Sequence, residues 1–263
     1  MKFIIDHDYH IHTYLSICSN DPNQNKERLL QYAQKHGLKK IILTDHYWDK
    51  AIYAGARDDF YETQDYDYIC RSLPLPQAEG VEFLFGCETD MDKENRLGIP
   101  KERFDDFVFI IIPTTHLHMH STDTSNFDPE YRARLWVERF ESLLNEDLPF
   151  HKVGIPHLTC TLTNHDSKEA WKKTLDAISS EDMRRLFTKA AALGCGIEIN
   201  ADDVKAIGDD VKYYRMYEIA KECGCKFYLG SDAHHPEQFD LDITLFQRAI
   251  DYLGLEESDK FRI

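Results

Sequence analysis

The sequence of 263 residues has no long hydrophobic run and few residues that break regular structure. Its longest apolar runs, such as residues 107–113, are far too short to cross a bilayer. With 12 glycines and 9 prolines, the composition is not that of a collagen-like or low-complexity chain. We therefore expect a globular protein that does not insert into a membrane.

Positive charge is also scarce. Lysine and arginine number 31 against 47 aspartates and glutamates, so the net charge is −16. A surface for nucleic acid or anionic membranes needs a basic stripe, and we expect neither partner. A small anionic substrate remains compatible with this charge if bound metal ions supply positive charge locally.

The cysteine pattern gives no sign of disulfide bonds. There are seven cysteines, an odd number, and no Cys-x-x-Cys pair. The apolar stretch at the start is too short and too quickly interrupted for a signal peptide. These features predict a cytoplasmic protein with reduced thiols, most of them buried as small hydrophobic side chains.

Short apolar runs alternate with amphipathic stretches along the whole chain. Near-continuous apolar runs are typical of parallel strands covered on both faces, and the repeated order indicates βαβ units. Seven such units predict one barrel-like domain over residues 1–263, with residues 47–79 as a rim or lid segment. The predicted strands are 3–5, 40–43, 81–85, 107–112, 152–155, 196–199 and 226–229; the predicted helices are 26–36, 129–145, 170–178, 183–193, 211–223 and 242–253.

Histidine, aspartate and glutamate residues follow almost every predicted strand. The carboxyl ends of barrel strands meet on one face, where barrel active sites lie. His10 and His12 are two residues apart, so they point to the same side of an extended chain, and Asp232 and His234 do the same. The remaining candidates at strand ends are His46, Glu88, His116, His118, His120, His157 and Asn200.

This set of side chains predicts a metal centre. One histidine, or an isolated His-x-His, is weak evidence because most histidines lie at the surface or in a satisfied core. Many imidazoles and carboxylates at successive strand ends are much stronger evidence, and they suit Zn, Fe or Mn. The candidates exceed what one ion needs, so we expect two or three divalent ions, with Glu88 as a carboxylate that bridges two of them.

The motifs resemble those of the PHP (polymerase and histidinol phosphatase) superfamily. They are Asp8-Tyr9-His10-Ile11-His12-Thr13, Thr44-Asp45-His46, Gly86-Cys87-Glu88, His157, Glu198-Ile199-Asn200 and Ser231-Asp232-Ala233-His234. The resemblance implies a distorted seven-stranded (β/α) TIM-like barrel with three metal ions. It assigns the first ion to His10, His12, Glu88 and Asp232, the second to Glu88, His157 and a histidine of the fourth strand, and the third to His46 and His234.

The sequence departs from that pattern at two places. Many members of the superfamily have a histidine where this chain has Cys18, which is either a thiolate ligand of the third ion or a buried, inert cysteine. The region after the fourth strand is longer than usual. His116 is our choice for the fourth-strand ligand, His118 is the alternative, and His120 is a candidate for the cavity mouth.

The resemblance implies hydrolysis of a phosphomonoester by a hydroxide held between two ions. Asp232, Glu88 and His234 are the expected catalytic residues, and Asp232 would orient the nucleophile. Asn200 either caps the following turn or contacts substrate, and His235 is a second candidate at the rim. Arg57, Arg96 and Arg215 are candidates for binding phosphate.

The substrate is predicted only as a small phosphorylated metabolite, with histidinol phosphate as one candidate. A metal-dependent amidohydrolase is an alternative, since that class also opens with His-x-His, but no lysine follows a middle strand here. A non-catalytic metal-binding module is a second alternative.

Overall fold

The computed structural model describes residues 1–52, 59–119 and 122–263. Within these ranges the chain alternates short parallel strands with helices. The strands are β1 (His7–Ile11), β2 (Lys40–Leu43), β3 (Glu82–Phe85), β4 (Cys87–Glu88), β5 (Ile110–Ile111), β6 (Val153–Ile155), β7 (Gly196–Asn200) and β8 (Lys226–Gly230). The helices are α1 (Lys26–His36), α2 (Tyr66–Ile69), α3 (Pro129–Leu143), α4 (Lys168–Ala177), α5 (Ser180–Leu193), α6 (Ala201–Ile207), α7 (Arg215–Glu222) and α8 (Phe239–Leu253).

The strands form two parallel sheets, in the orders β1-β2-β3 and β4-β5-β6-β7-β8. Two isolated parallel bridges join the sheets at the carboxyl ends of their strands, one between Ile11 and Ala233 and one between His46 and Glu88. The predicted α/β class with parallel strands is confirmed. The prediction of seven strands differs from the eight segments that the described part of the chain contains.

Two strand predictions need correction. The first strand is His7–Ile11 and not residues 3–5. The sequence pattern missed this strand because its buried side chains include polar ones, so the segment does not read as an apolar run. The third predicted run continues as two segments separated at Gly86. A Cβ atom at Gly86 would lie 2.7 Å from the carbonyl oxygen of Phe109, so glycine allows the close approach at this break.

The helix predictions agree more closely. Helix α1 spans the predicted residues, and α1, α5 and α8 end at glycines with positive φ, namely Gly37, Gly194 and Gly254, as expected for helix C-termini. The predicted helix 211–223 is a 3₁₀ turn at Val211–Tyr214 followed by α7. Helix α6 was not predicted, because it is short and follows β7 directly.

Strands of both sheets share a compact apolar cluster. It consists of Tyr9, Ile42, Phe109, Ile111, Tyr228 and Phe261. A larger cluster packs α3, α4, α5, α7 and α8 against the outer faces of the strands. No helix in the described ranges is long and apolar enough to cross a membrane. The strands are therefore buried on both faces, and their carboxyl ends are held in fixed relative positions.

Candidate metal centre

The first group of candidate ligands comes from β1 and the residue that follows it, from β4 and from the loop after β8. The Nε2 atoms of His10 and His12 lie 3.2 Å apart. Asp232 Oδ1 lies 3.3 Å from His10 Nε2 and 3.0 Å from His12 Nε2. Glu88 Oε2 lies 3.5 Å and 3.4 Å from the same two nitrogens. Four ligand atoms from distant parts of the chain thus surround one point.

A second group shares Glu88 with the first. The other carboxylate oxygen, Oε1, lies 3.3 Å from His157 Nε2 and 4.0 Å from His116 Nε2. Glu88 therefore directs one oxygen to each group, as a bridging carboxylate must. Among the described residues His116, and not His118, belongs to this group.

A third group consists of the imidazoles of His12, His46 and His234. His46 Nδ1 lies 3.0 Å from Glu88 Oε2, and His234 Nδ1 lies 3.8 Å from Asp232 Oδ1. The third group therefore directly adjoins the first. The structure brings all eight predicted ligands together, and their role as ligands stays a prediction.

The spacing and the unpaired atoms both fit bound ions. Two ligands about 2.0–2.1 Å from a tetrahedral zinc ion lie ~3.3 Å apart, close to the distances in the first group. His46 Nδ1, Glu88 Oε2 and His234 Nε2 are buried without a hydrogen bond of acceptable geometry, although His46 Nδ1 and Glu88 Oε2 lie 3.0 Å apart. Buried polar atoms normally have partners, and metal ions at the first and third groups would provide them for these three atoms.

Four of these histidines are held by hydrogen bonds on their other ring nitrogen. His10 Nδ1 lies 2.7 Å from Glu198 Oε1, and His116 Nδ1 lies 2.8 Å from Asp90 Oδ2. The hydroxyl of Thr115 lies 2.7 Å from His157 Nδ1. Such partners fix the ring orientation and the tautomer, so that Nε2 points toward the metal position.

His12 is the fourth. Ser16 Oγ lies 2.8 Å from His12 Nδ1 and donates to Asp45 Oδ1 at 2.7 Å, so it accepts a hydrogen bond from the imidazole. Sequence reasoning missed these partners. The one available signal was that Glu198 and Asp45 belong to the motifs that resemble the superfamily.

The backbone is unusual at two of the candidate ligands. His157 has φ 30° and Asp232 has φ 55°, which is uncommon for residues other than glycine. Such conformations persist where the surrounding structure holds them, and they cluster at functional sites. Gly230 also matters, because a Cβ atom there would overlap the Glu198 carboxylate.

Burial and charge act in opposite directions on the site histidines. Burial lowers their pKa values, but nearby carboxylates outweigh burial at His12 and His157 and raise both pKa values to about 9. At His46, Cys18 and Glu88 outweigh burial and raise the pKa to about 9. The carboxylates thus make the site favourable for cations, either protons or metal ions.

At His234 and His118 the effect of burial on the pKa is larger than that of the nearby carboxylates. It lowers the pKa of His234 to about 3, assisted by His12, and the pKa of His118 to about 4, assisted by His116. Both rings are therefore neutral near pH 7, the form in which an imidazole binds a metal.

Two cavities that share the lining residues Leu162, Asp232 and His234 open onto the candidate ligands. One, of about 170 Å³, is lined by Phe60, Tyr61, Met119 and Leu162 together with Cys18, His118 and several of the candidate ligands. The other, of about 460 Å³, is lined by Asn200, Asp202, Lys205 and Leu162 and reaches His157, Asp232 and His234. Phe60 belongs to the predicted rim segment, and its ring centroid lies 4.8 Å from that of His46.

The structure resolves the alternatives for Asn200 and Cys18 in part. Asn200 caps α6, since its side chain accepts a hydrogen bond from the Asp203 N–H, and it also donates to Glu198 Oε2 at 3.0 Å. The alternative of a buried cysteine is wrong for Cys18, which is exposed. His235 lies at the surface, 3.2 Å from Asp21, and its substrate role stays a prediction.

Two of the candidate phosphate-binding arginines, Arg96 and Arg215, are described by the structure and do not line these cavities. Arg215 donates to the carbonyl oxygens of Leu175 and Ile178 at the end of α4. Arg96 pairs with Asp92 and Glu94 at the surface. Both side chains support local structure, and the sequence could not reveal this because their partners depend on the fold. Arg57 and His120 lie outside the described residues.

Of the comparisons with known proteins, the match to a family model agrees with the motifs. A family model described as PHP domain matches residues 8–202. No curated protein matches the chain. The histidinol phosphate phosphatase (HISK) from Lactococcus lactis subsp. lactis Il1403, solved with Zn, L-histidinol and phosphate, is similar over 98% of this chain and 99% of its own, with 17% identity and a TM-score of 0.58. PsfC from Pseudomonas syringae PB-5123 is similar over 88% of this chain and 77% of its own, with 17% identity and a TM-score of 0.43.

Proposed function

Because the chain belongs to the PHP domain family, we propose that it is a metal-dependent phosphoesterase that hydrolyses a small phosphomonoester. The observation that carries this proposal is the position of Glu88, whose two oxygens face two separate groups of ligands. When bound, the ions would generate a nucleophile from water and neutralise the charge of the phosphoryl oxygens.

We assign the ligands as the sequence predicts them. His10, His12, Glu88 and Asp232 would hold the first ion, and Glu88, His116 and His157 the second. His46 and His234 belong to a third position. Asp232 and His234 reach the cavities, with about one fifth of each side chain exposed, so Asp232 is available to orient the attacking nucleophile. These positions support catalytic roles for Asp232, Glu88 and His234.

The cavities favour a small substrate over a polymer, since together they are within the range of ligand sites for metabolites. Lys205 is the one lysine or arginine that lines them among the described residues, 3.7 Å from Asp202. The phosphoryl group would therefore depend chiefly on the ions for its charge. Histidinol phosphate is the first candidate substrate, since the similar Lactococcus lactis protein was solved with L-histidinol and phosphate.

We also propose that the two sheets make one distorted seven-stranded barrel, in which β3 and β4 act as one interrupted strand. The bridges Ile11–Ala233 and His46–Glu88 support this arrangement. A single domain over residues 1–263 and a cytoplasmic location are part of the same proposal.

The test is metal content and hydrolysis measured on one sample. The protein is purified without chelator, its Zn, Fe and Mn are determined by elemental analysis, and turnover of p-nitrophenyl phosphate is followed. We expect two or three ions per chain and turnover that stops after chelation. A panel of phosphorylated metabolites, beginning with histidinol phosphate, then identifies the substrate class.

The variant His10→Ala is expected to lose turnover while keeping the fold. The control is His36→Ala, a partly buried histidine of α1 that belongs to none of the ligand groups. Normal turnover of His10→Ala at equal metal content would contradict the mechanism. Metal without hydrolysis of any phosphomonoester would instead favour an amide substrate or a non-catalytic role.

A further inference from the structure

Helix α3 buries two arginines in a face that is otherwise apolar. Arg132 and Arg139 lie on the same side of the helix, about two turns apart, and at most 1% of either residue is exposed. Trp136 and Phe140 belong to the same buried face. Burial of a guanidinium group is costly unless its charge is paired and its N–H groups have acceptors. Such a residue in a core therefore indicates partners that need the charge.

The two arginines have different partners. Arg132 donates to three backbone carbonyl oxygens in the loop between β5 and α3. Arg139 donates to the carbonyl oxygens of Met91 and Asp92 at 3.0 Å and 2.9 Å, and its Nη2 atom also lies 3.3 Å from Asp90 Oδ1. The side chains of Arg139 and Asp90 are only 1% and 2% exposed. Arg139 therefore forms a fully buried ion pair.

Asp90 connects this arginine to a candidate ligand. Asp90 Oδ2 accepts a hydrogen bond from His116 Nδ1 at 2.8 Å. Asp90 Oδ1 accepts one from Arg139 and one from the Met91 N–H, the latter at 2.7 Å. The two carboxylate oxygens are thus divided between the imidazole on one side and the arginine on the other. With Nδ1 bound in this way, His116 directs Nε2 toward Glu88 Oε1, 4.0 Å away.

His116 needs such support because of its place in the fold. It is the fifth residue after β5 and belongs to neither a strand nor a helix. Side chains on loops are held less precisely than side chains on strands or helices. Arg139 lies in α3, a helix of 15 residues that packs in the main apolar cluster. The contact through Asp90 therefore ties a loop ligand to a rigid element.

We propose that Arg139 is a positioning residue for the second ion, and that it acts through Asp90 on His116. This inference rests on the proposed metal centre and deepens it, because it gives a role to a helix that lies behind the ligands. The guanidinium fixes Oδ1 of Asp90, so that Oδ2 stays directed at His116 Nδ1. The imidazole then keeps the ring orientation and the tautomer in which Nε2 is free to bind metal.

A double-mutant cycle between Arg139 and His116 tests the proposal. Stepwise zinc affinities are measured by competition with a chromophoric chelator for the wild type, Arg139→Met, His116→Ala and the double variant. His116→Ala identifies the binding step that belongs to the second group. We expect Arg139→Met to weaken that step by about 10–100-fold and to leave the other steps unchanged. We expect no further loss when Arg139→Met is added to His116→Ala.

Lys260→Met is the matched control for loss of a buried cation. The Lys260 side chain is 2% exposed and pairs with Asp6 at 2.9 Å and with Glu257 at 3.0 Å. Asp6 precedes β1, at the opposite end of the strand from the candidate ligands. We expect Lys260→Met to lower Tm and to leave every zinc affinity unchanged. Equal losses of zinc affinity in Lys260→Met and Arg139→Met overturn the proposal, since destabilisation alone would then explain them.

Arg139→Lys separates the charge of the side chain from its planar, forked shape. The lysine keeps a positive charge near Asp90, so we expect a smaller loss at the same binding step than in Arg139→Met. This variant also carries the cycle with His116→Ala if Arg139→Met does not fold. A loss of zinc affinity that is equally large with and without His116 overturns the role of Arg139.

The two proposals fail in different ways. Wild-type protein that binds zinc and hydrolyses p-nitrophenyl phosphate, together with unchanged zinc affinity in Arg139→Met, overturns the role of Arg139 and leaves the proposed phosphoesterase standing. Additive effects of Arg139→Met and His116→Ala have the same meaning. Wild-type protein that binds no zinc overturns both.

Discussion

Single side chains behind the candidate ligands set the orientation of the metal-facing imidazoles. Glu198 shows this best. Its Oε1 pairs with His10 Nδ1, and its Oε2 accepts hydrogen bonds from the His157 backbone N–H at 2.8 Å and from Asn200. One buried carboxylate therefore supports a ligand of each of the first two groups.

We predict that Glu198→Gln lowers metal affinity by about 10–100-fold, the usual cost of losing an outer partner of a metal ligand. The amide keeps the size of the side chain but removes the charge that holds the His10 tautomer. Zinc affinity measured by competition with a chromophoric chelator checks this. The control is Glu82→Gln, an exposed strand residue, and equal affinities for both variants would contradict the role of Glu198.

At the scale of secondary-structure elements, short helices and strand ends share residues with the site. Asn200 ends β7 and caps α6, so its side chain links a helix N-terminus to Glu198. The 3₁₀ turn Asp59–Tyr61 places Phe60 against His46. The same local geometry that ends an element therefore forms part of the cavity.

Two substitutions of Asn200 separate its role as the helix cap of α6 from its hydrogen bond to Glu198. We predict that Asn200→Ala costs about 1 kcal/mol of stability through loss of the helix cap, or roughly 2–4 °C in Tm. Asn200→Ser keeps an acceptor for the Asp203 N–H but lacks the amide donor to Glu198, so its Tm should stay near that of the wild type. Thermal unfolding of the metal-free protein checks this, and equal losses in both variants would contradict the capping role.

At the scale of the whole molecule, a chain with a net charge of −16 buries carboxyl groups close to one another. Asp242 in the first turn of α8 is 2% exposed, and its Oδ2 has no hydrogen-bond partner. Burial, with the nearby charges of Asp8 and Asp202, raises the pKa of Asp242 to about 8. This carboxyl group is therefore protonated in the folded protein at neutral pH.

The pKa of Asp242 makes stability depend on pH. Because its pKa is higher in the folded than in the unfolded chain, the contribution to stability is complete below about pH 4 and is lost as pH rises toward 8. We predict that Asp242→Asn, which resembles the protonated form, raises Tm by roughly 5 °C at pH 8 and much less at pH 4. Thermal unfolding at both pH values checks this.

Asp240→Asn is the matched control for Asp242→Asn. Asp240 lies in the same helix at the surface, and pairing with Lys35 and His36 lowers its pKa. Its replacement is expected to give no gain at pH 8. A gain of equal size in both variants would assign the effect to net charge and not to burial.

Metal affinity is expected to rise with pH, because metal ions and protons compete for the same histidine nitrogens. The pKa values of His12, His46 and His157 are raised to about 9 in the metal-free protein, and ligands must lose their protons to bind. We predict that zinc affinity rises between pH 6 and pH 9 and that binding releases protons at pH 7. Calorimetry in buffers of different ionisation enthalpy measures this release, and no release would contradict the prediction.

Removal of metal should also lower the stability of the whole fold. Ions that bind only the folded chain stabilise it by mass action, and the ligands join β1, β4, the loop after β8 and the segments after β2, β5 and β6. We predict a lower Tm after dialysis against chelator, restored by adding zinc. An unchanged Tm would indicate that the groups bind no ion with useful affinity.

The ligand types and their places at strand ends could be predicted from the sequence, because they are local properties. The spacing of His10 and His12 follows from the two-residue period of a strand, and helix ends follow from glycines at their C-termini. The start of the first strand could not be predicted, because buried polar side chains interrupt its apolar pattern. Assignment of the protein to the PHP family from its motifs is confirmed by the family match over residues 8–202.

By itself the sequence determined the chemistry of the candidate site. It showed which residues offer nitrogen, oxygen or sulfur ligands and which predicted strands these residues follow. Only the tertiary structure decided which of them meet. His10 and Glu198 are 188 residues apart in the chain, and His116 joins Glu88 while His118 does not. Such pairings depend on strand register and on loop paths between distant segments, and no local pattern contains that information. The exposure of Cys18 belongs to the same class of facts.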